Sequence, residues 1–86
     1  MASYEIRFSK ESSKALDSLD VKLALRIVDA VKKLASTPKL PGCRKIVGSD
    51  KDYRIRVGDY RVIYQIRSTV LIVFIIRIGH RKDIYR

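Results

Sequence analysis

Three arginines recur at strand spacing around a glycine–aspartate pair near the middle of the chain. Arg54, Arg56 and Arg61 belong to the segment YRIRVGDYRVIY, in which polar and apolar residues alternate on both sides of Gly58-Asp59. This alternation predicts two β-strands, and a Gly-Asp pair between them is typical of a two-residue hairpin turn. With that turn, Arg56 lies opposite Arg61, and all three arginines share one face of the hairpin.

The chemistry available to this arginine stripe is the binding of phosphate. Guanidinium groups hold phosphate oxygens in a two-point geometry and keep their charge at physiological pH. Like charges directly opposite each other on paired strands destabilise a hairpin, and a bound anion would relieve that repulsion. The alternative interpretation is an ordinary solvated basic surface. The Arg56–Arg61 pair favours RNA binding over that alternative.

The charge of the whole chain also indicates an anionic partner. The 86 residues carry a net charge of +10. Residues 39–86 contain twelve Lys/Arg against four Asp/Glu, whereas residues 1–38 contain seven against five. The arginine stripe therefore lies in the strongly basic half, for which nucleic acid, an acidic protein, or both are the expected partners.

The sequence gives less support to a disulfide, a metal or cofactor site, or a location in a membrane. Cys43 is the single cysteine, which excludes an internal disulfide and is typical of a reducing cytosol. The acidic residues of the basic half lack metal-ligand spacing, so we expect no metal and no cofactor. The most apolar run, VLIVFII at residues 70–76, is too short to span a bilayer. With no signal peptide visible, we expect a cytoplasmic protein without membrane contact.

Hydrophobic periodicity predicts the elements that must position the stripe. Strands are expected at residues 4–8, 53–57, 60–66 and 70–78, with helices over about 10–19 and from Asp20 to shortly before Pro38. Ser9 and Asp20 are the predicted helix N-caps. The order β-α-α-β-β-β predicts one α+β domain over residues 1–86, in which a helical hairpin packs on one face of a mostly antiparallel four-stranded sheet.

The last predicted strand is apolar on both faces until Arg77, which predicts a central strand covered on both sides. In an unbroken alternation, Arg77 shares a face with Leu71, Val73 and Ile75. The pattern does not decide whether this face is the one that carries the arginine stripe. The chain is expected to leave the sheet at Gly79. A further strand could begin at residues 45–47.

The hairpin and the C-terminal segment together resemble the RelE/ParE family of toxins from prokaryotic toxin–antitoxin systems. The resemblance rests on YRIRVGDYRVIY, on the lead-in Arg44-Lys45-Ile46, on the apolar strand, and on the ending IGHRKDIY. It covers essentially the whole chain. It implies a toxin of either the RelE branch, which cuts messenger RNA in the ribosomal A site, or the ParE branch, which poisons DNA gyrase.

The resemblance also implies roles for individual residues. The implied catalytic residues are Arg54, Arg56, Arg61, Arg81 and Tyr85. Arg54, Arg56, Arg61 and Arg81 are also implied as RNA- or phosphate-binding residues. The sequence itself adds four further RNA- or phosphate-binding candidates from the same basic half: Arg77, His80, Lys82 and Arg86. Many RelE-type toxins have lysine at one or both of the positions of Arg54 and Arg56, and arginine seldom acts as a base. Proton transfer would then fall to Tyr85, to His80, or to the RNA and ribosome.

Simpler interpretations remain open for the aromatic residues. Tyr85 could be a C-terminal core anchor, and His80 could be an ordinary strand-end histidine. Tyr53, Tyr60 and Tyr64 follow the apolar alternation and are predicted to belong to the core.

Three functions therefore compete. The first is a ribosome-dependent, metal-independent endoribonuclease that cleaves mRNA in the A site. The second is a ParE-type gyrase poison without nuclease activity, and the third is a binding module for an acidic partner peptide. Under each, we expect a cognate RelB-like antitoxin, encoded by an adjacent gene, that forms a hetero-oligomer with this chain.

Overall fold

The computed structural model describes residues 3–49 and 51–82, which form one mixed sheet and two helices. The strands are β1 (Glu5–Phe8), β2 (Arg44–Lys45), β3 (Asp52–Val57), β4 (Tyr60–Arg67) and β5 (Ile72–His80), and the helices are α1 (Lys10–Asp17) and α2 (Val21–Lys33). The strand order is β1-β5-β4-β3-β2, with β1 parallel to β5 and the other pairs antiparallel. The α+β class is confirmed. The sheet has five strands rather than four because β2 adds to the β3 edge.

Both helices begin at the predicted N-caps. The Ser9 hydroxyl accepts a hydrogen bond from the Ser12 backbone N–H, and the Asp20 carboxylate accepts one from the Leu23 N–H, each at 3.0 Å. These bonds satisfy backbone donors that have no partner inside the first helical turn. α1 ends at Asp17, two residues earlier than predicted.

The core lies between the helices and one face of the sheet. Its buried side chains are Ile27, Val31, Leu34, Ile55, Val57, Val62, Tyr64, Ile66, Val73, Ile75 and Ile78. On the other face of β5, Ile72 and Phe74 are only half-buried. The prediction that the last strand is covered on both sides is therefore wrong, because the helical hairpin supplies one layer and β5 needs only its inward residues to complete the core.

The ends of the last strand also differ from the prediction. β5 begins at Ile72, because the chain at Val70 and Leu71 still belongs to the turn that follows β4. Leu71 has a φ of 54°, in the left-handed region. The strand continues through Gly79 to His80 and does not leave the sheet at the glycine. Among the described residues, no helix is both long and apolar enough to cross a membrane.

Candidate functional site

The β3–β4 hairpin has the predicted register. Arg56 pairs with Arg61 and Arg54 with Ile63, whereas the Ile55–Val62 pair belongs to the opposite, buried face. Gly58 has a φ of 60° while its neighbour does not enter the left-handed region, which is the pattern of a type II′ turn. The two-residue turn thus places like charges directly across the strand pair.

A cleft on the open face of the sheet gathers the arginine side chains. It has a volume of about 240 Å³ and is lined by Gly42, Arg44, Arg54, Ile55, Arg56 and Arg61. Arg81 is not among the lining residues, but its charge acts on Arg61, so we include it in what we call the arginine cleft. Four guanidinium-bearing residues around one concavity form a site suited to a phosphodiester, since each can donate two parallel hydrogen bonds to phosphate oxygens.

Arg44 is a cleft residue that the sequence interpretation did not single out. It lies in β2 directly opposite Arg54 of β3. This pairing extends the row of positive charge by one strand. The local pattern gave no strong signal for it, because β2 contains only two residues and follows a loop rich in proline and glycine. The basic pair Arg44-Lys45 ahead of the hairpin was the only available sequence signal.

Arg61 is the cleft residue on which the charges of the neighbouring arginines act. Its side chain is half-buried, and its Nε atom is shielded from solvent. Partial burial, followed by the positive charges of Arg54, Arg56 and Arg81, lowers the pKa of the Arg61 guanidinium. The group remains charged at neutral pH, because an arginine pKa begins far above it. The repulsion shows that four cations share one local environment, which an anion would stabilise.

The neighbouring arginines are held by different contacts. Arg56 is exposed, and its Nε donates a hydrogen bond to the Gly58 carbonyl at 2.9 Å. Arg81 follows the end of β5, and its backbone N–H donates to the Asp59 carbonyl at 2.8 Å. The turn between β3 and β4 therefore fixes parts of the cleft that come from two separate chain segments.

A β-bulge in β5 changes which residues face the cleft. Ile63 pairs with Arg77, but the next residue, Tyr64, pairs with Ile75, so that Ile76 is an extra residue without a partner. The expectation that Arg77 shares a face with Val73 and Ile75 is therefore wrong. Arg77 lies on the face of the arginine cleft, where its Nε is 3.5 Å from the Glu11 carboxylate.

His80 is not brought to the arginine cleft. It pairs with Tyr60 on the side of the sheet that carries the core, and the two rings meet edge to face with centroids 5.4 Å apart. Its Nδ1 accepts a hydrogen bond from the Lys82 backbone N–H at 3.2 Å. Lys82 itself is exposed. Tyr85 and Arg86 lie outside the described residues, and their predicted roles stay predictions.

The other tyrosines belong to the core, as predicted. Tyr64 is fully buried and donates its hydroxyl proton to the Pro38 carbonyl at 2.7 Å. Tyr53 stacks on it with ring centroids 6.0 Å apart, and Tyr60 packs against the core from its edge. Within residues 3–49 and 51–82, no cluster of three His, Cys, Asp or Glu residues could hold a metal ion.

The chain matches known toxins in sequence and in fold. The family model of the ParE toxin of the type II toxin–antitoxin system parDE matches residues 6–85. Toxin RelG of Mycobacterium tuberculosis is 31% identical in an alignment of length 87 that covers 96% of this chain and 97% of that protein. RelE in the archaeal RelE–RelB complex from Pyrococcus horikoshii OT3 is 28% identical, with a TM-score of 0.81 over 96% of this chain and 99% of that chain.

A mutant of the E. coli toxin RelE in the free state has the same fold. Its TM-score is 0.82 at 20% identity, over 96% of this chain and 88% of that chain. The sequence match over residues 6–85 and the TM-scores of 0.81 and 0.82 to solved toxins agree with each other. The chain belongs to the RelE/ParE superfamily of toxins from type II toxin–antitoxin systems.

Proposed function

We propose that this toxin is a ribosome-dependent endoribonuclease that cleaves messenger RNA in the ribosomal A site. The observation that carries the proposal is the arginine cleft, in which the charges of Arg54, Arg56 and Arg81 all act on Arg61. A cytoplasmic location follows from this proposed substrate. The family relationship to RelE-type toxins supports the same activity.

Cleavage of RNA without a metal ion requires three chemical tasks. The 2′-hydroxyl must lose a proton, the charge that develops on the phosphate must be stabilised, and the leaving 5′-oxygen must gain a proton. Preorganised guanidinium groups perform the second task, and we assign it to Arg54, Arg56, Arg61 and Arg81. We assign proton transfer to Tyr85, because a phenol can exchange a proton and its ring can stack on a base. Arg44 adds a further phosphate contact.

The protein partner in this proposal is a RelB-like antitoxin. The solved relatives include RelE–RelB complexes from Pyrococcus horikoshii and Methanococcus jannaschii, which supports an antitoxin partner for this toxin. The net charge of +10 favours a partner segment that is acidic. An acidic or amphipathic segment over the arginine cleft would neutralise the toxin by occupying the phosphate site.

The second candidate function is a ParE-type gyrase poison without nuclease activity. It is favoured by the matching family model, whose description names ParE. Under this alternative, the arginines have no role in RNA cleavage. Cells that express the toxin would accumulate DNA damage while their mRNA stays intact.

Primer extension on a defined message in a reconstituted translation system tests the proposal. Wild type, Arg61→Ala and Tyr85→Phe are compared with and without ribosomes. Arg67→Gln is the matched control, because Arg67 is an exposed arginine at the far end of the same strand. We expect cuts within A-site codons that need ribosomes, persist in Arg67→Gln, and fall about 100-fold or more in Arg61→Ala.

Two results would overturn the proposal. One is cleavage by Arg61→Ala at the wild-type rate. The other is the absence of cuts with a folded wild-type toxin that still stops growth, and a gyrase supercoiling assay would then test the alternative. If the toxin neither cuts RNA nor stops growth while it binds its antitoxin tightly, it is a binding module for an acidic partner. Retained cleavage in the Tyr85→Phe lane would refute the assignment of proton transfer to the Tyr85 hydroxyl.

A further inference from the structure

The bulge at Ile76 decides which side chains of β5 reach the arginine cleft. Successive residues of a strand point to opposite faces, so one extra residue exchanges the two faces for everything that follows it. Val73 and Ile75 are buried before the bulge, and Ile78 is buried after it. Without the bulge, Arg77 and Gly79 would fall on the core side of the sheet, just before the chain reaches Arg81.

With the bulge, the residues at the end of β5 face the cleft without filling it. Gly79 pairs with Arg61 and contributes no side chain beside it. Arg81 follows two residues later, and its charge is one of those that act on Arg61. The contribution of Arg81 to the cleft therefore depends on Ile76, the extra residue of the bulge.

The bulge is held by the beginning of α1. The Ser9 hydroxyl donates a hydrogen bond to the Ile76 carbonyl at 2.6 Å. The Ser12 hydroxyl lies 3.0 Å from both the Ile75 and the Ser9 carbonyls, which share its proton. The Ile75 carbonyl also accepts from the Ser9 backbone N–H at 2.9 Å. Ser12 is completely buried. Pairing between β1 and β5 ends at Phe8–Ile75, so these bonds stabilise the strand edge just where its neighbouring strand stops.

We propose that Ser9 and Ser12 are positioning residues for the phosphate site, which act by holding the β5 bulge that directs Arg81 into the arginine cleft. The effect on cleavage rests on the proposed function, whereas the effect on the position of β5 does not. Ser9 has two separable tasks. Its oxygen caps α1 by accepting from the Ser12 N–H, and its proton is donated to the Ile76 carbonyl.

Three substitutions separate these tasks. Ser9→Asp keeps an acceptor for the helix cap but has no proton for the Ile76 carbonyl, whereas Ser9→Thr keeps both. Ser12→Ala removes the second hydroxyl and leaves the cap acceptor in place. Ser13→Ala is its matched control, because Ser13 is an exposed neighbour on the same helix.

The first readout is amide hydrogen exchange of the free toxin, which needs no RNA. The Arg81 N–H is bonded to Asp59 across the end of β5, and the Ile66 N–H is bonded to Lys51 on the far side of the bulge. In Ser9→Asp and Ser12→Ala we expect exchange at Arg81 to accelerate about tenfold or more, with exchange at Ile66 changed less than about threefold. Ser9→Thr and Ser13→Ala should match wild type at both amides.

The second readout is ribosome-dependent cleavage by the same variants. We expect Ser9→Asp and Ser12→Ala to lower kcat/KM about 10- to 100-fold, as a displaced catalytic group does, with recovery in Ser9→Thr.

Unchanged exchange at Arg81, or equal acceleration across the whole sheet, would overturn the positioning role. Normal cleavage by variants whose bulge has opened would also overturn it. A wild-type toxin that cuts no RNA would refute the proposed function alone, because the exchange experiment still decides how Arg81 is held.

Discussion

Replacing one arginine of the cleft should reduce the salt dependence of RNA binding by a defined amount. We choose Arg56→Gln because Arg56 is exposed and its side chain makes a single local hydrogen bond, to the carbonyl of Gly58. Glutamine keeps a side-chain N–H that can donate a hydrogen bond, so the substitution removes the charge and retains a donor. Each phosphate neutralised by a protein cation releases counterions, which makes the binding constant fall as salt is added.

The geometry of the cleft sets the size of the effect. Arg44 and Arg54 form one row across the sheet, and Arg56 and Arg61 form another. The rows are two residues apart along β3, about 7 Å, so that each row can hold one phosphate. Arg81 provides a third contact. Three contacts with single-stranded RNA give a log–log slope of about −2, which weakens binding about 20-fold between 50 and 200 mM salt.

Arg56 is the exposed member of its row, so its substitution should remove the phosphate contact of that row. The slope should then change to about −1.4, and the same salt increase weakens binding only about sevenfold. The assay is fluorescence anisotropy with a short labelled RNA that is 2′-O-methylated, which blocks the nucleophile and prevents cleavage. Arg67→Gln is the matched control, since Arg67 is an exposed arginine on the same face, six residues from Arg61 and about 20 Å away. Equal slopes for the two variants would refute the assignment of the cleft as the phosphate site.

The remaining predictions concern stability. Leu71→Gly should raise the free energy of unfolding by about 0.5–1 kcal/mol in urea denaturation, because glycine adopts the left-handed φ of 54° without strain. A lower urea midpoint would contradict this. Tyr64→Phe should lower the free energy of unfolding by about 1–2 kcal/mol, because the Pro38 carbonyl loses its donor. An unchanged midpoint would show that this bond contributes nothing. Burial raises the pKa of the Tyr64 phenol, so its contribution is present below the unfolded value of about 10 and is lost as pH rises above it. The stability difference between wild type and Tyr64→Phe should therefore be constant near neutral pH and shrink above about pH 10, as checked by urea denaturation across that range. A difference that grows with pH would refute the assignment.

The hairpin at the centre of the site could be predicted completely. Its register depends on the period of two in each strand and on the length of the turn, and both are local properties of consecutive residues. Arg56 opposite Arg61, and a buried Tyr64, followed directly from them and are confirmed. The helix caps at Ser9 and Asp20 were predictable for the same reason, since a cap bonds to a backbone group three residues away.

Two parts of the site could not be predicted from local pattern. A further strand was expected to begin at residues 45–47, but β2 covers only Arg44–Lys45, too few residues for periodicity to fix its bounds. It is a strand because these residues meet the edge of β3. The bulge at Ile76 lies in a run of apolar residues, where alternation gives no sign of an extra residue. For this reason Arg77 was expected on the wrong face. The same bulge places His80 against Tyr60 on the core side, away from the arginine cleft.

The sequence by itself determined the basic character of the C-terminal half, the arginine face of the hairpin and the α+β class. These depend on composition, on alternation over a few residues and on the order of elements. Only the tertiary structure decided that Arg44 and Arg81 join the same cleft and that His80 does not. Arg44 is placed by the pairing of β2 with β3, whereas Arg81 and His80 follow the β5 bulge, where the Ile76 and Ile75 carbonyls lie within hydrogen-bond distance of the Ser9 and Ser12 hydroxyls. A single extra residue in a strand reverses the direction of every later side chain, and its position is set by the helix that packs against that strand.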